Sequence, residues 1–412
     1  VNLSRTLLRC VCLGMLTVSL ALLLTGCWDR RELNDLAITS ATALDWDGKE
    51  WTVSYQVVIP QAIANPNTGG SPGQQAPVMV FSTSGGSIRG AVQKSSQEMP
   101  RSLFFSHSRI LVIGQKAAEQ GISQMMDIFL RNSDSRETIS VLLAEGEGKQ
   151  ILEQVIPLEK MQGTAIKNLI ENENKHGSNY KQVRMYEFMM NNTSDSPYTL
   201  IPEIHISGKG ENTTISSLKA TSFENKLKLG RIGIFKKDKL IGYFDKLVQY
   251  GVTFINNSVD GTTYYFACSQ DSTDYKAALL VNHSKSKLKP VFGQDGQMSM
   301  RLTVDLQGNL VENGCKEDPS KPEELKKLAS YVSADLNRLI LHAFQTATSR
   351  QLDVFGIADL LHKHHPAKWK EFKDHWPEKF AELTIEPEIH VDIARIGMSS
   401  KPFGAQIEES SE

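Results

Sequence analysis

Leu325, Leu328, Val332, Leu336, Leu339, Ile340, Ala343, Phe344 and Ala347 fall at helical spacing on one face of the longest such pattern in the chain. A helix of that length with one apolar stripe must lay it against another layer, which here implies packing across an antiparallel sheet. Lys326, Lys327, Asp335, Asn337 and Arg338 lie mostly off the stripe, and Pro319 and Pro322 precede it. Strand candidates for that sheet are close by. Arg231 to Phe235 and Lys239 to Tyr243 flank Lys236-Lys237-Asp238, and Met298 to Leu306 faces Leu310 to Glu312 across Gln307-Gly308-Asn309, so both read as hairpins. Ile389, Val391 and Ile393 alternate with His390, Asp392 and Ala394, which reads as a last strand closing the sheet.

The first half alternates between periods. Ala37 to Leu44 and Trp51 to Ile59 read as strands joined through Asp45-Trp46-Asp47-Gly48, a run tolerant of left-handed backbone. Residues 65–77 lack apolar periodicity and are dense in Asn, Pro, Gly, Ser and Gln, the composition of a mobile insertion loop. Ile88, Ala91, Val92, Ser95 and Met99 predict a helix ended by Pro100, and Leu103 to Ile113 a strand. A second helix is predicted over 116–130, a strand over Thr138 to Ala144, and helices over 149–155, 160–172 and 183–190 before a strand from Leu200 to Ile206. Gly208, Gly210 and Asn212 then mark a domain boundary. The fold class expected is α+β, a multi-domain ectodomain with mixed or antiparallel sheets: an N-terminal mixed α/β domain over 27–206 and a C-terminal α+β domain over 213–400, divisible into lobes 213–295 and 296–400.

Residues 1–26 stand apart. Arg5 and Arg9 precede or enter an apolar run from Cys10 to Leu24, of a length suited to a signal-peptide core and short for a membrane span. Leu24-Thr25-Gly26-Cys27 follows as a lipobox, which makes Cys27 the residue expected to carry a diacylglyceryl thioether and to begin the mature chain. Trp28, Arg30 and Arg31 fall where an interfacial ring and headgroup-seeking cations sit. The remainder is then expected on the extracytoplasmic face, tethered to the membrane by lipid. Without residues 1–26 the chain keeps 43 basic against 47 acidic side chains, a balance that argues against nucleic acid. Of the five cysteines only Cys268 and Cys315 lie outside the leader and lipobox. Sequence does not bring these two within bonding distance; a buried free thiol is the plainer reading of each and a bridge the alternative.

No motif assembles a catalytic set. His362-Lys363-His364-His365, with His375 beyond, lacks the accompanying ligands of a metal site and reads as a solvated helix end. Ser106-His107-Ser108 lies in an apolar strand pattern without a nucleophile elbow, and Ser84-Gly85-Gly86-Ser87 reads as a helix cap rather than a phosphate loop. Glu386 and Glu388 around Pro387, and Glu145 and Glu147 around Gly146, are sequence neighbours, which does not establish the cross-cleft spacing of a glycosidase. No enzyme activity, cofactor or metal is expected.

Several segments carry a family resemblance: Cys27-Trp28-Asp29-Arg30-Arg31-Glu32-Leu33-Asn34-Asp35-Leu36, Arg101-Ser102-Leu103-Phe104-Phe105-Ser106-His107-Ser108-Arg109-Ile110-Leu111-Val112-Ile113-Gly114, Phe129-Leu130-Arg131, Asp245-Lys246-Leu247, Asp353-Val354-Phe355-Gly356 and Trp369-Lys370. In order and spread they resemble the Ger(x)C spore germination lipoproteins, the C subunits of germinant receptors. Asp353 to Ala358 departs from that family by lacking a second glycine. The resemblance implies a non-enzymatic subunit working beside polytopic A and B subunits in the spore inner membrane, required for nutrient-triggered germination. Partner contacts are looked for at Lys236-Lys237-Asp238 and at Asp29 to Leu36. A lipid-anchored solute-binding protein and a wall-active hydrolase are the competing classes. Calorimetry with amino acids and sugars separates the first, and peptidoglycan cleavage the second.

Overall fold

The computed structural model describes residues 2–23, 32, 35–64, 76–131, 135–156, 158–208, 213–214, 222, 225–269, 274–294 and 297–395. Helix α1 (Asn2–Leu23) covers most of the expected leader. Strands β1 (Leu36–Trp46) and β2 (Trp51–Val58) form the first hairpin, its turn held by the Asp47 carboxylate, which accepts the N–H groups of Lys49 and Glu50, each at 2.7 Å. Gly48 in that turn takes φ +104°, open to glycine at no steric cost. After α2 (Pro60–Ala64) come β3 (Val78–Gly85) and α3 (Ile88–Glu98). Most of the predicted insertion loop, residues 65–75, lies outside the described residues.

The strand predicted over Leu103 to Ile113 is two strands, β4 (Ser102–Phe104) and β5 (Ile110–Ile113). Between them the chain turns, with Ser108 N–H donating to Phe105 O at 2.8 Å, and the two strands pair with different parts of β1. The helix predicted over 116–130 is likewise two, α4 (Gln115–Gln120) and α5 (Ser123–Arg131). Gly121 breaks them at φ +107°, and a Cβ there would lie 2.8 Å from Asp238 Oδ2. There follow β6 (Ser140–Ala144), α6 (Gly148–Glu153), α7 (Gln162–His176), α8 (Met185–Asn192), β7 (Tyr198–Ser207), β8 (Lys226–Lys236) and β9 (Lys239–Phe244).

These strands make one sheet in the order β3-β2-β1-β5-β6-β7-β8-β9, with β4 beside β1. Its centre, β1, β5, β6 and β7, is parallel, and its flanks are antiparallel. The four residues of β5 are all buried, as strands covered on both faces must be. Their pleat divides the core: Ile110 and Val112 join one apolar cluster, Leu111 and Ile113 the other. The sheet runs past the boundary expected at 207–213, because β7 pairs antiparallel with β8, Leu200 opposite Ile234.

The chain continues through α9 (Lys246–Ile255), β10 (Thr262–Ala267), β11 (Tyr275–Phe292), β12 (Met298–Asn313), α10 (Pro322–Ser349), α11 (Ile357–His364), α12 (Pro366–Phe372), α13 (Trp376–Ala381) and β13 (Thr384–Arg395). A second sheet has the order β10-β11-β12-β13. Helix α10 buries Leu328, Val332, Leu336, Ile340 and Phe344 in the cluster that also holds Met300, Leu302 and Val304 of β12, so the predicted stripe does cover a sheet.

Three readings change in this region. Gln307-Gly308-Asn309 is no hairpin turn but part of the continuous strand β12. Gly308 is there for a close approach, since a Cβ would stand 2.6 Å from Leu280 O, and the pairing registers of β12 shift beside it. Strand β13 runs parallel to β12 rather than completing an antiparallel sheet, because α10 to α13 carry the chain back to the starting end of β12: Ser299 faces Thr384. Cys268 and Cys315 are disulfide-bonded, with Cα atoms 5.2 Å apart, not free. Phe266 and Asn313 both face Ala277 of β11, so each cysteine lies two residues beyond a partner of the same residue, at the same end of the sheet.

Candidate functional site

The expected lipobox, Leu24 to Cys27, with 28–31 and 33–34, lies outside the described residues, and so does most of the Asp29 to Leu36 segment. Upstream, the apolar side chains of α1 from Leu3 to Val18 are exposed, covering no core. Among the described residues no helix is long and apolar enough to cross a membrane.

The histidines at 362–365 do not converge. His362 Nδ1 lies 2.5 Å from Asp195 Oδ2 and its ring stacks on Trp369, whereas the His365 ring meets the edge of Phe292. Among the described residues no group of three His, Cys, Asp or Glu side chains is placed to hold a metal ion. Ser106 and His107 sit in the turn between β4 and β5, His107 exposed and edge-on to Phe104, with Ser108 buried beside Thr42. Ser87 caps α3, its Oγ accepting Gly90 N–H at 3.1 Å. Glu386 and Glu388 stand exposed on β13 near Arg301 and His390, and Glu145 lies 4.0 Å from Arg231.

What the fold does assemble is a polar seam between the first sheet and the C-terminal helices. Asp353 is buried and accepts four hydrogen bonds: from Ile357 N–H (2.9 Å), Ala358 N–H (2.8 Å), Ser196 Oγ (2.6 Å) and Trp376 Nε1 (3.1 Å). Burial pushes its carboxyl above the usual range, and these four donors oppose that shift. Two of them are the opening N–H groups of α11, to which Gly356 leads at φ +70°. Thus Asp353-Val354-Phe355-Gly356 is a helix-capping turn that also grips the loop before β7. Beside it, Asp195 N–H donates to Asp359 Oδ1 at 2.9 Å and Arg350 Nη1 to Tyr243 O at 3.0 Å. Sequence reading placed this aspartate only in a family motif, because its partners lie far along the chain.

A second buried carboxylate, Glu203 on β7, is held by Arg231 of β8 through Nε (3.0 Å) and Nη2 (2.6 Å). The guanidinium lies 4.0 Å over the Tyr243 ring, whose phenol burial pushes up to about 12. The turn Lys236-Lys237-Asp238, expected as a partner contact, is fastened to the α4–α5 junction through Asp238, with Lys236 and Lys237 exposed. Asp238 accepts Ile122 N–H through its carbonyl and Ser123 N–H through its carboxylate, each at 3.1 Å.

The cavities sort by size. An apolar slot beneath Phe105, Met125 and Phe129 has a volume of ≈ 40 Å³, well below the range of about 300–1,000 Å³ that metabolite sites occupy. An open groove of ≈ 680 Å³ runs between β10 on one side and α9 and α10 on the other. Its floor is polar but internally satisfied: Tyr264 OH donates to Asp335 Oδ2 at 2.8 Å, Arg338 Nη2 to Asp335 Oδ1 at 2.6 Å, and Tyr250 OH pairs with Thr262 Oγ1 at 3.0 Å.

Comparison with known proteins covers both halves of this architecture. Residues 29–206 match the family described as the spore germination protein N-terminal domain, and residues 230–397 the family described as spore germination B3/GerAC like, C-terminal. Spore germination protein KC of Bacillus subtilis (strain 168) is 24% identical over 403 residues, 96% of this chain and 98% of that protein. Spore germination protein B3 of the same organism is 23% identical over 389 residues, 92% and 96% of the two chains. The crystal structure of the GerBC protein superposes with a TM-score of 0.55 at 18% identity, over 89% of this chain and 100% of that one, a likeness of fold. With both of its halves matched in order, the chain belongs to the Ger(x)C family of spore germination proteins.

Proposed function

We propose that the chain is the lipid-anchored, non-catalytic C subunit of a spore nutrient germinant receptor, tethered through Cys27 on the extracytoplasmic face and assembled with polytopic A and B subunits. The observation that carries this reading is the match of both family regions, in order, over most of the chain. The two buried carboxylates support a scaffold role, since Asp353 bonds to Ser196, Trp376 and backbone N–H groups and Glu203 to Arg231 rather than opening on a cleft.

Deletion of the gene, in a strain lacking its paralogues, tests the reading. Nutrient-triggered germination is lost while calcium dipicolinate still germinates the spores. A surviving nutrient response refutes it. Affinity purification of the tagged full-length chain from solubilised spore membranes tests assembly, with the two polytopic subunits expected in the eluate.

A further inference from the structure

Apart from the four-residue end of β12 beyond Asn309, which carries exposed Glu312, the second sheet has three stretches of edge with no strand beside them among the described residues: β13, the part of β11 beyond Val281, and β10. Two of them are guarded. The free part of β11 presents exposed Lys285, Lys287 and Lys289 and contains Pro290; β13 presents exposed Glu386, Glu388 and Asp392 and contains Pro387. Alternating charge and proline are what keep an edge from recruiting another strand. Strand β10, Thr262-Thr263-Tyr264-Tyr265-Phe266-Ala267, has neither.

The unguarded edge is also held still and flanked by contact area. Beyond its last residue Cys268 is bridged to Cys315, and at its start Thr262 Oγ1 donates to Gly177 O at 2.7 Å. It forms one wall of the ≈ 680 Å³ groove, where Leu247, Tyr265 and Tyr275 are 55%, 58% and 52% exposed. Large aromatic side chains on a fixed wall are the residues that anchor protein contacts. The polar side chains of the floor already have partners, so little there selects a small polar ligand. Among the described residues, the backbone of 262–267 has no backbone hydrogen-bond partner except β11, which leaves its outward N–H and C=O groups open.

We propose that this edge accepts an extended segment of a partner protein as an added strand, lying in the groove with apolar or aromatic side chains at alternate positions against Leu247, Tyr265 and Tyr275. Only extended backbone matches the alternation of open N–H and C=O groups along a strand. A lone segment fits between β10 and the α9–α10 wall, whereas the edge of another folded sheet, including a second copy of this chain, would have to clear that wall. The inference deepens the function proposed above and rests on it for the partner, a loop or tail of a polytopic receptor subunit outside the membrane.

The test is photocross-linking in intact spores with the full-length tagged chain carrying benzoylphenylalanine in place of Tyr265 or, separately, of Lys287, and with cross-linked peptides identified by mass spectrometry. Position 265 is expected to join a non-membrane segment of a polytopic subunit, and position 287 to give about tenfold less product. Tyr265→Lys and Thr263→Lys, which place a guarding charge on β10, lower co-purification of the polytopic subunits by about tenfold while the melting temperature and the disulfide are retained. Unchanged co-purification in both folded variants overturns the proposal, as does a cross-link from position 265 to a second copy alone, or none while the subunits still co-purify. If the wild-type chain recovers no polytopic subunit, the receptor reading itself has failed, and this inference with it.

Discussion

Ser196 donates a 2.6 Å hydrogen bond to Asp353, joining the loop before β7 to the turn before α11 across 157 residues of sequence. The contact spans the two family regions, and its acceptor is the most heavily bonded carboxylate in the seam. Asp353→Ala would strand the Ser196 hydroxyl, the Trp376 indole N–H and two backbone N–H groups in a buried site. It is expected to lower unfolding free energy by about 3 kcal/mol, read by urea denaturation; a loss below about 1 kcal/mol would show that water replaces the carboxylate.

The bridge between Cys268 and Cys315 closes a loop with a sequence separation of 47 residues. Chain entropy assigns such a closure about 4 kcal/mol. The paired Cys268→Ser and Cys315→Ser variant should therefore unfold at lower denaturant, and reductant should shift the wild type but not the variant. Thiol counting of the unfolded, unreduced protein checks the bridge directly.

Gly251 of α9 lies against α10, where a Cβ would stand 2.5 Å from that of Ala343 and 2.8 Å from Leu339 O. Gly251→Ala gains about 1 kcal/mol of helix propensity, yet forces the helices apart at a typical cost of 1–3 kcal/mol, so net destabilisation of about 1 kcal/mol is expected. A rise in melting temperature would mean that the helix pair yields freely.

Burial raises the Tyr55 phenol from 10.0 to about 12. The folded chain then keeps a proton that the unfolded chain has released, so the associated stability is whole below pH 10 and is lost as pH rises towards 12. The loss is at most about 3 kcal/mol for this residue, with Tyr243 acting in the same direction. Tyr55→Phe should flatten the alkaline slope, measured by denaturation at a series of pH values with phenolate absorbance alongside.

Cys27→Ala tests the proposed tether. Metabolic labelling with a fatty acid should vanish, and the chain should leave the membrane fraction or accumulate with its leader uncleaved. Membrane retention of a leaderless, unlabelled chain would assign the tether to protein contacts.

What was legible in the sequence was local. The stripe from Leu325 to Ala347 depends only on i, i+3 and i+4 neighbours, and it marks α10 as built. The β1–β2 and β8–β9 hairpins carry their turns within a few residues, and both formed. Gly308 was read as a turn because a glycine made necessary by Leu280 on the next strand looks the same in sequence as one that bends the chain. The direction of β13 and the meeting of Cys268 with Cys315 depend on register, which no single segment encodes. Asp353 was visible only as part of a motif, since Ser196 and Trp376 reach it from distant segments. The groove beside β10 was hidden for the same reason, its walls coming from β10, α9 and α10.

The pairing of β7 with β8 carries one hydrogen-bonded sheet without interruption from the first family region into the second. That pairing extends from Tyr198 opposite Lys236 to Ser207 opposite Lys226, so the two regions share backbone hydrogen bonds where they meet. Strand β1, which opens the first region, and β9, whose Tyr243 carbonyl accepts from Arg350 at the end of α10, therefore belong to one bonded sheet. The stability of the two regions is thereby tied together, and they are expected to unfold in one cooperative step rather than as two independent domains.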